Sequence, residues 1–572
     1  MNAMAPMEAT ASGASGIGVE NNGLAKTIFA RFEELRQDRS ARAPELEAVA
    51  RIYRPQRQNF NAGGGNGQRD SYNLHELFNS RTLTAASNMS ASLYSTLCSP
   101  GNDWFQATVL DGDLAEFHSV KTWLDIVSRR MLASFQPSVS NFYASAVSWS
   151  ADTVTLGTGF MVEDEGTGRT RILDSCVSPA DAVFGVDADG MADELMVERW
   201  LTPVQAARFY GIEALPPKLR ERAVAGKADA KTRFIQAIQP NDDFTPGRFD
   251  AKGKPFISTH ISEDGMAVVR QGGMFEQSFA VPRWDVDGAN PWGHGMGYLN
   301  LASGRKLQIM ARDNLKAGAL AANPPIGTTG SKALREGQQL APGKFLHGAI
   351  SHQGQQLARP IFTFNGLPIT AEMEKQTIDE VENGWHAQLL TLVGRTGMGN
   401  LEVIERMEER LRLQAPYFGR LQTEGLSVLL QRRFGILFRA GQLPPPPPEL
   451  KGQSLEIRYT SVAALAQKAS EGVATARILE DTYKLAGAQP TPEAAQGIWD
   501  NVNTDRTLAI LAEARGAPAG VLNSPEEKKA LRDARTQAAA AQQMMAMAAQ
   551  GAAVAKDAAS AGAMMAPEQG AF

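Results

Sequence analysis

The sequence predicts an α+β, mainly helical protein, and three observations support this fold class. Apolar residues recur at helical spacing towards both ends of the chain, as in residues 28–35. Between about residues 157 and 283, short apolar runs flank turn sequences such as Glu165-Gly166, which is typical of antiparallel hairpins. Two further helical stretches bracket a Gly/Pro-rich segment at 324–369. Since 572 residues exceed what one core usually covers, several structural units are expected.

The first part of the chain is expected to be helical after a disordered lead. Residues 1–22 contain neither the basic nor the apolar region of a signal peptide. Apolar spacing predicts a helix from residue 23 and a second one after Ala43-Pro44, because proline interrupts helical hydrogen bonding. Residues 73–97 and the segments VKTWLDIVSRRMLASFQ and NFYASAVSWSADTVTLG are predicted to be further helices.

Short antiparallel strands are expected to follow these helices. Asp189-Gly190 lies between two apolar runs, and glycine supplies the positive φ that a tight hairpin turn needs. The segments FISTHISE and MAVVRQ are further strand candidates. Residues from about 157 to 283 are therefore expected to be α+β with short antiparallel strands.

Two helices are predicted on either side of the Gly/Pro-rich segment. The first covers 301–322 and stops at Asn323-Pro324-Pro325, since proline cannot continue a helix. Residues 323–369 show little periodicity and are predicted to be a small β or loop module. The second helix covers 370–393, with Thr370 as its N-cap and acidic residues in its first turn. One apolar stripe of this helix comprises Met373, Thr377, Val381, Trp385, Leu389 and Leu392.

The remainder of the chain is predicted to be mostly helical. Residues 394–400 form a glycine-rich loop, and a long helix over 401–442 is expected to bend at Pro416 or Gly425. A polyproline spacer opens a mainly helical unit at 443–525. Residues 526–572 are rich in alanine, so they are expected to be either disordered or a helix stabilised by other copies of itself. The arginines of the long helix are a solvated face or contacts to phosphate or neighbouring subunits: Arg406, Arg410, Arg412, Arg420, Arg432, Arg433 and Arg439.

Composition excludes several classes of protein. The net charge of −5 argues against a surface that grips nucleic acid everywhere, but it leaves open a protein past which DNA slides. The two cysteines, Cys98 and Cys176, cannot form a disulfide framework or a four-cysteine zinc site, and Cys98 is expected to be buried. The sequence contains no run of about 18 apolar residues, so no membrane span is expected.

The segment RWDVDGANPWGHGMGYLN, residues 283–300, has the composition of a site but not its spacing. Its glycines do not fit the dinucleotide pattern, and His294 has no HxxxH partner. GTTGSK at 327–332 lacks the Walker order. The loop that begins at Asp187 carries its glycine at position four and Met191 at position five, which does not suit calcium. No GxSxG motif exists. The sequence therefore predicts no enzyme, no cofactor and no metal.

Several blocks, taken in order, resemble the head-to-tail connector (portal) proteins of short-tailed bacteriophages. The blocks are SASLYSTLCSPGNDWFQATVLD, NFYASAVSWSADTVTLGTGFMVEDE, DAVFGVDADGMADELMVERWLTPVQAARFYG, the 283–300 segment, NPPIG, RLQTEGLSVLLQRRFGILFRAGQLPPPP and IRYTSVAALAQKA. Together they span roughly residues 25–490.

The resemblance implies an architecture for each predicted segment. Residues 23–300 would be the wing, 301–322 and 370–393 the two stem helices, and 323–369 the clip. Residues 394–400 would be a tunnel loop facing a channel, 401–442 a long wing or crown helix, 443–525 the crown, and 526–572 a C-terminal helical barrel.

The resemblance also implies a function and partners. Such proteins form a ring of twelve subunits at one capsid vertex of the virion, after assembly in the host cytoplasm. Double-stranded DNA passes through the ring without sequence specificity, and the packaging terminase, the major capsid and scaffolding proteins and a tail adaptor bind to it. The expected channel residues are Arg395, Met398, Lys306, Arg312 and Lys316. The expected wing–stem joint comprises Arg283, Trp284, Trp292, Gly297 and Tyr298, whose aromatic rings would be buried there or at a subunit contact. The alternative is a scaffold or interaction protein of virion assembly that forms no ring.

Overall fold

A computed structural model describes the chain in segments. These are 22–60, 75–101, 103–111, 114, 117–165, 172–226, 231–288, 290–322, 326–328, 350–356, 358–360, 367–387, 417–450, 455–459, 462–488, 497–514, 523 and 527–545. Residues 1–21, the segment predicted as a tunnel loop (394–400), most of the segment predicted as a clip (323–369) and residues 546–572 fall outside these ranges.

The elements are helices and short strands, and several strands follow one another without an intervening α-helix. The first are α1 Asn22–Tyr53, α2 Arg81–Leu97, β1 Phe105–Val109, α3 His118–Ser134, α4 Phe142–Leu156, β2 Phe160–Glu165, β3 Ile172–Val177, β4 Ala182–Val186 and β5 Ala192–Leu201. Next come α5 Pro203–Tyr210, α6 Pro217–Val224, β6 Thr232–Pro240, β7 Phe256–Ser262, β8 Ala267–Met274, β9 Phe279–Ala280, α7 Met296–Leu299, α8 Leu301–Ala322, β10 Ile326–Thr328 and β11 Ala358–Pro360. The last are α9 Leu367–Gly384, a π-helical turn Leu421–Leu426, α10 Ser427–Arg439, β12 Leu455–Tyr459, α11 Val462–Gly487, α12 Thr504–Ala514 and a helix over 527–545. The protein is thus α+β, as predicted.

The described residues group into two compact units. The first contains residues up to Trp104 and Arg130–Leu443, and the second contains Phe105–Arg129 and the chain from Pro444 onwards. The expected wing boundary differs from this division, because β1 pairs antiparallel with β12 from Phe105↔Tyr459 to Val109↔Leu455. A strand pair between such distant segments leaves no local signal in the sequence.

A five-stranded antiparallel sheet in the order β4-β5-β6-β7-β8 is the centre of the first unit. One face packs on α1, where Phe32 and Ile28 contact buried side chains such as Met196 and Ile235. The other face is partly covered by α5 and α6, around Phe234. The predicted hairpin at Asp189-Gly190 is confirmed, since β4 pairs with β5 and Gly190 has a φ of 78°.

Helix α1 is one continuous helix of 32 residues, so the predicted break at Pro44 is wrong. Both halves bury apolar side chains, for example Phe32 before the proline and Val49 after it. A proline inside a helix costs about 3 kcal/mol through the lost hydrogen bond and a steric clash. Packing of both halves within one unit outweighs that cost.

Cys98, at the end of α2, is buried as expected.

The two helices around the predicted clip are present, but only the first has the predicted bounds. Helix α8 covers Leu301–Ala322, whereas α9 begins at Leu367 and ends at Gly384. Thr370 is therefore inside the helix and not its N-cap, because Pro368 suits the first turn, where no N–H is needed. Of the predicted stripe, Thr377, Val381 and Trp385 are buried, Met373 is half exposed, and Leu389 and Leu392 lie outside the described residues.

The described part of the predicted 401–442 helix runs from residue 417 to Arg439 and contains the π-helical turn around Gly425. The expectation that its arginines form a solvated or phosphate-facing surface is wrong for two of them. Arg433 is fully buried and Arg432 almost fully. The acidic partners of Arg433 lie on β2 and β3, so Arg433 holds α10 to the three-stranded sheet β3-β2-β9.

The buried charges around Arg433 form a closed cluster. Its Nη2 lies 3.0 Å from Oε2 of Glu163 and 2.9 Å from Oδ2 of Asp174, and Nη1 donates to the carbonyl of Ser134 at 3.1 Å. The guanidinium also lies 4.2 Å from the ring centroid of Phe135. Both carboxylates are fully buried, so one cation stands between two acids in a dry interior. Burial raises the pKa of Glu163 to about 8.

The second unit contains the β1–β12 pair and helical segments. Helix α11 packs on α12, and Arg532 of the helix over 527–545 forms an ion pair with Asp505 at 2.8 Å. The indole N–H of Trp123 donates to the carbonyl of Pro444 at 3.0 Å, at the start of the polyproline run. None of the helices in the described part of the chain combines the length and apolar character needed to cross a membrane.

Candidate functional site

Helices α8 and α9 pack side by side in antiparallel directions. Asn300, just before α8, donates through Nδ2 to the carbonyl of Gly384 at 3.2 Å, at the end of α9. One turn further, Glu380 accepts from Ser303 and from Lys306, both at 3.0 Å. Near the other end, Asn314 donates to Glu374 at 2.6 Å. These contacts fix the register of the two helices from one end to the other.

The three predicted channel cations of α8 lie on its exposed side, but two of them have acidic partners. The ammonium of Lys306 lies 3.0 Å from Oε2 of Glu380, and Nε of Arg312 lies 2.9 Å from Oδ1 of Asp313. Lys316 is exposed one turn beyond Arg312. Helix α8 carries four basic residues and one acidic residue, whereas α9 carries five acidic residues and one basic residue. The pair therefore joins a cationic helix to an anionic one. Arg395 and Met398 lie outside the described residues.

A buried polar and aromatic cluster anchors the base of the helix pair to α1. The hydroxyl of Tyr53 donates to the carbonyl of Asn300 at 2.7 Å, and its ring lies 5.0 Å from that of Trp385. Gly304 faces the same tyrosine so closely that an added Cβ would lie 2.4 Å from the Tyr53 hydroxyl. Burial raises the pKa of Tyr53 to about 12.

The sequence predicted that the second helix would extend to residue 393, but α9 ends at Gly384. The side chain of Asn300 caps the carbonyl of Gly384, which stabilises this earlier end.

The glycines of the 283–300 segment permit direct backbone contact with the end of α4. Gly157 ends that helix with a φ of 94°, and an added Cβ would lie 2.3 Å from the carbonyl oxygen of Gly293. A Cβ on Gly295 would lie 2.6 Å from the amide of Gly157, and one on Gly297 would lie 2.5 Å from the carbonyl of Thr155. The alternate spacing of 293, 295 and 297 thus serves close backbone approach, a role for which glycine is suited.

Arg283 and Trp284 bind the same segment to the start of the helix that includes α10. Arg283 forms a two-pronged ion pair with Glu424, with Nε–Oε2 at 2.9 Å and Nη2–Oε1 at 2.8 Å, and both side chains are buried. The indole of Trp284 stacks on Tyr417 with ring centroids 4.1 Å apart. Glu424 lies within the π-helical turn, which sets the direction of its side chain.

The remaining aromatic residues of the segment differ in their surroundings. Trp292 is buried between Phe160 and Phe184, with ring centroids 5.6 and 5.2 Å away. Tyr298 is 42% exposed and touches only the edge of the joint, with its ring 4.6 Å from that of His294. The structure thus buries Arg283, Trp284, Trp292 and Gly297 within the chain. Tyr298, by contrast, is partly exposed at the surface.

Sequence reasoning missed the residues that contact the 283–300 segment. Glu424, Gly157 and Tyr53 lie far from 283–300 in sequence, and nothing in their own neighbourhoods points to it. The alternation of glycines in GHGMG was the one available signal, since alternate residues of an extended segment share a side.

His294 lies beside Arg42, with their nitrogens 2.8 and 2.9 Å apart, which agrees with the prediction of a packed histidine. Within the described ranges, no group of three or more His, Cys, Asp or Glu side chains is arranged to hold a metal ion.

Replacing Gly157 with alanine is expected to lower the free energy of unfolding by about 2–3 kcal/mol, because the added methyl group both strains the backbone and collides with Gly293. Gly190 is the matched control, since its φ of 78° is similar but an added Cβ meets nothing within 4 Å. Gly190→Ala should therefore cost only the backbone term, about 1–2 kcal/mol. Equal losses in urea denaturation would show that the backbone contact at the joint contributes nothing.

Comparison with known proteins identifies two relatives whose sequences align with most of the chain. The chain is 29% identical over 483 residues to the portal protein of Salmonella phage epsilon15, an alignment that covers 81% of this chain and 83% of the relative. It is 24% identical over 535 residues to the probable portal protein of Bordetella phage BPP-1, covering 92% and 94%. A solved structure described as the neck of an empty gene transfer agent particle, computed with C6 symmetry, matches at 11% identity. That match has a TM-score of 0.33 and covers 79% of this chain and 97% of the other.

The family-level match covers nearly all of the elements described above. The sequence profile of the family "Bacteriophage head to tail connecting protein" matches residues 25–522, from the first turn of α1 to beyond α12. This range includes the helix pair, the 283–300 segment and most of both compact units. The chain therefore belongs to the bacteriophage head to tail connecting protein family.

Proposed function

We propose that copies of this chain close into a ring at one vertex of a phage capsid and that double-stranded DNA passes through its opening during packaging and ejection. The observation that carries the proposal is the family match over residues 25–522, which includes the antiparallel helix pair α8 and α9. The relatives are named a portal protein and a probable portal protein, and by analogy this chain would be a structural part of the virion without a catalytic role of its own. A twelve-subunit ring is the stoichiometry that we propose, with assembly in the host cytoplasm.

Within that ring, α8 and α9 would be the stem, and 323–366 between them the clip. The five-stranded sheet with α1 would belong to the wing, and the segment 283–300 would be the joint at which the wing is fixed to the stem. The buried pair Arg283–Glu424 and the glycine contacts at Gly157 support this assignment, since they make the joint stiff. The chain from 443 to 525 would be the crown, and the alanine-rich helix at 527–545 would associate with its copies as a barrel.

DNA transport requires contacts to phosphate that are weak and quickly exchanged. Each neutralised phosphate releases counterions and strengthens binding, so a strongly basic wall would hold the genome in place. The acidic residues of α9 reduce the effective charge of α8, as the Lys306–Glu380 pair illustrates. Lys316 and Arg395 are the side chains that we propose for transient phosphate contacts, beside Met398 at the constriction. The packaging terminase, the capsid and scaffolding proteins and a tail adaptor would bind the outer surfaces of the ring.

The mass and shape of the purified chain test the proposal. Light scattering is expected to give a mass near twelve times 61.6 kDa, and negative-stain images should show a central opening. In particles assembled with Lys316→Ala and Arg395→Ala, rings should persist while the fraction that retains DNA falls severalfold. Particles of 61.6 kDa under all conditions would instead favour a scaffold or interaction protein that forms no ring.

A further inference from the structure

The loop between β6 and β7 holds a phenylalanine entirely in solvent. Phe249 is 103% exposed, and Phe244 on the same loop is 43% exposed. The loop is nevertheless ordered by Asn241, whose side-chain amide donates to the carbonyl of Lys254 at 2.8 Å and, at longer range, to those of Ala251 and Lys252. An ordered loop that presents a large apolar side chain to water is typical of an interaction surface.

Further apolar side chains surround that loop at the same end of the five-stranded sheet. Phe275 follows β8 and is 48% exposed, and Met191 in the β4–β5 turn is 38% exposed. We call this end, comprising residues 186–193, 241–255 and Phe275, the loop surface. It carries six aspartates and three basic residues, which gives a net charge of −3.

A second apolar surface lies towards the opposite end of the sheet, where α5 and α6 cover part of one face. Residues 203–226, which contain α5 and α6 and which we call the helix surface, expose Phe209 to 47%, Ile212 to 39% and Val224 to 72%. This surface carries four basic and two acidic residues, a net charge of +2. It begins where β5 ends at Leu201, opposite Thr232 of β6, whereas the loop surface begins where β6 ends at Pro240.

The two surfaces cannot meet within one chain. Strand β6 has nine residues, and at about 3.3 Å per step its first and last residues are about 26 Å apart. They have opposite net charges, and each exposes apolar side chains beside charged ones. Two different patches that fit each other on separate copies are what a head-to-tail contact requires, and such contacts close into rings.

We propose that the loop surface of one subunit docks on the helix surface of its neighbour, with Phe249 inserted beside Val224 and the acidic turns facing the basic helix α6. This inference rests on the proposed ring and adds the identity of one of its subunit contacts. The occupant of each surface is a second copy of this chain. Aromatic side chains dominate the energetics of such contacts, so Phe249 is expected to be the residue whose loss matters most.

Cross-linking between introduced cysteines tests the contact in the full chain. The variant Phe249→Cys with Val224→Cys is treated with a short bismaleimide after assembly, and a ladder of covalent multimers is expected on denaturing gels. The matched control is Phe249→Cys with Leu173→Cys, because Leu173 is an exposed apolar residue of the same unit that lies on neither surface. Wild-type protein controls for the native Cys98 and Cys176. A ladder that is no stronger than the control's in protein that forms rings overturns the contact.

Two further results separate this inference from the proposed function. Phe249→Asp should leave the melting temperature of the chain unchanged while reducing the ring fraction at least tenfold, whereas Leu173→Asp should not reduce it. Rings that persist with Phe249→Asp overturn the contact and leave the ring proposal intact. Dimers cross-linked through Phe249→Cys alone would show a symmetric contact and overturn the head-to-tail arrangement. Wild-type protein that is only monomeric overturns the ring itself.

Discussion

Replacing Arg433 with methionine is expected to lower the free energy of unfolding of this protein by about 3–5 kcal/mol. The side chain is fully buried between the two fully buried carboxyl groups of Glu163 and Asp174. Removing the cation leaves both buried acids without the guanidinium that pairs with them, and the carbonyl of Ser134 loses a donor. The measurement is the denaturant midpoint of the purified variant, with soluble yield as a second readout.

Arg439→Met is the matched control for this substitution. Arg439 lies on the same helix and pairs with Glu276, but its side chain is 35% exposed, so water replaces much of the lost interaction. Its loss is expected to cost less than about 1 kcal/mol. Combining Arg433→Met with Glu163→Gln and Asp174→Asn should recover much of the stability, because no buried charge then remains unpaired. Equal midpoints for Arg433→Met and Arg439→Met would refute the structural role assigned to the cluster.

The burial and pairing of Arg433 could not be predicted from the sequence alone. Arginines spaced along a helix usually belong to a solvated face, and the local pattern of residues 401–440 contains nothing to distinguish Arg433 from Arg439. The distinction depends on Glu163 and Asp174, which precede Arg433 by 270 and 259 residues. Partners at such separations are set by the tertiary fold, and a single sequence carries no record of the pairing.

Local signals predicted the elements that local interactions determine. The end of α8 at Ala322 was predictable because prolines follow directly, and the β4–β5 turn was predictable because Gly190 supplies a positive φ. The end of α9 was not, since the Gly384 carbonyl is capped by Asn300, which lies directly before α8. The joint was half predictable: its composition marked 283–300 as unusual, but its contacts with Gly157 and Glu424 appear only in the fold.

The second large effect concerns pH. Wild-type protein is expected to lose stability as pH rises towards 8, and Glu163→Gln is expected to remove that loss. Glu163 is fully buried, its Oε1 finds no hydrogen-bond donor among the described residues, and burial raises its pKa from 4.5 to about 8. The folded protein therefore binds a proton that the unfolded chain releases between these two values. Stability should then fall as pH rises through this window, by up to about 1.4 kcal/mol per pH unit, and become constant above it.

The difference between wild type and variant isolates this effect from other groups that titrate. Burial lowers the pKa of His260 from 6.5 to about 3, so this histidine contributes stability that is present above 6.5 and is lost as pH falls, the opposite trend. Because His260 is present in both proteins, its contribution cancels when the free energies of unfolding are subtracted at each pH.

Glutamine resembles the protonated carboxyl, so the two proteins should have similar stability near pH 5, and the variant should be clearly more stable near pH 8.5. Glu165→Gln, an exposed carboxyl on the same strand, should show no such trend. A difference between wild type and Glu163→Gln that stays constant from pH 5 to 8.5 would mean that Glu163 is ionised throughout, and that Arg433 stabilises two carboxylates at once.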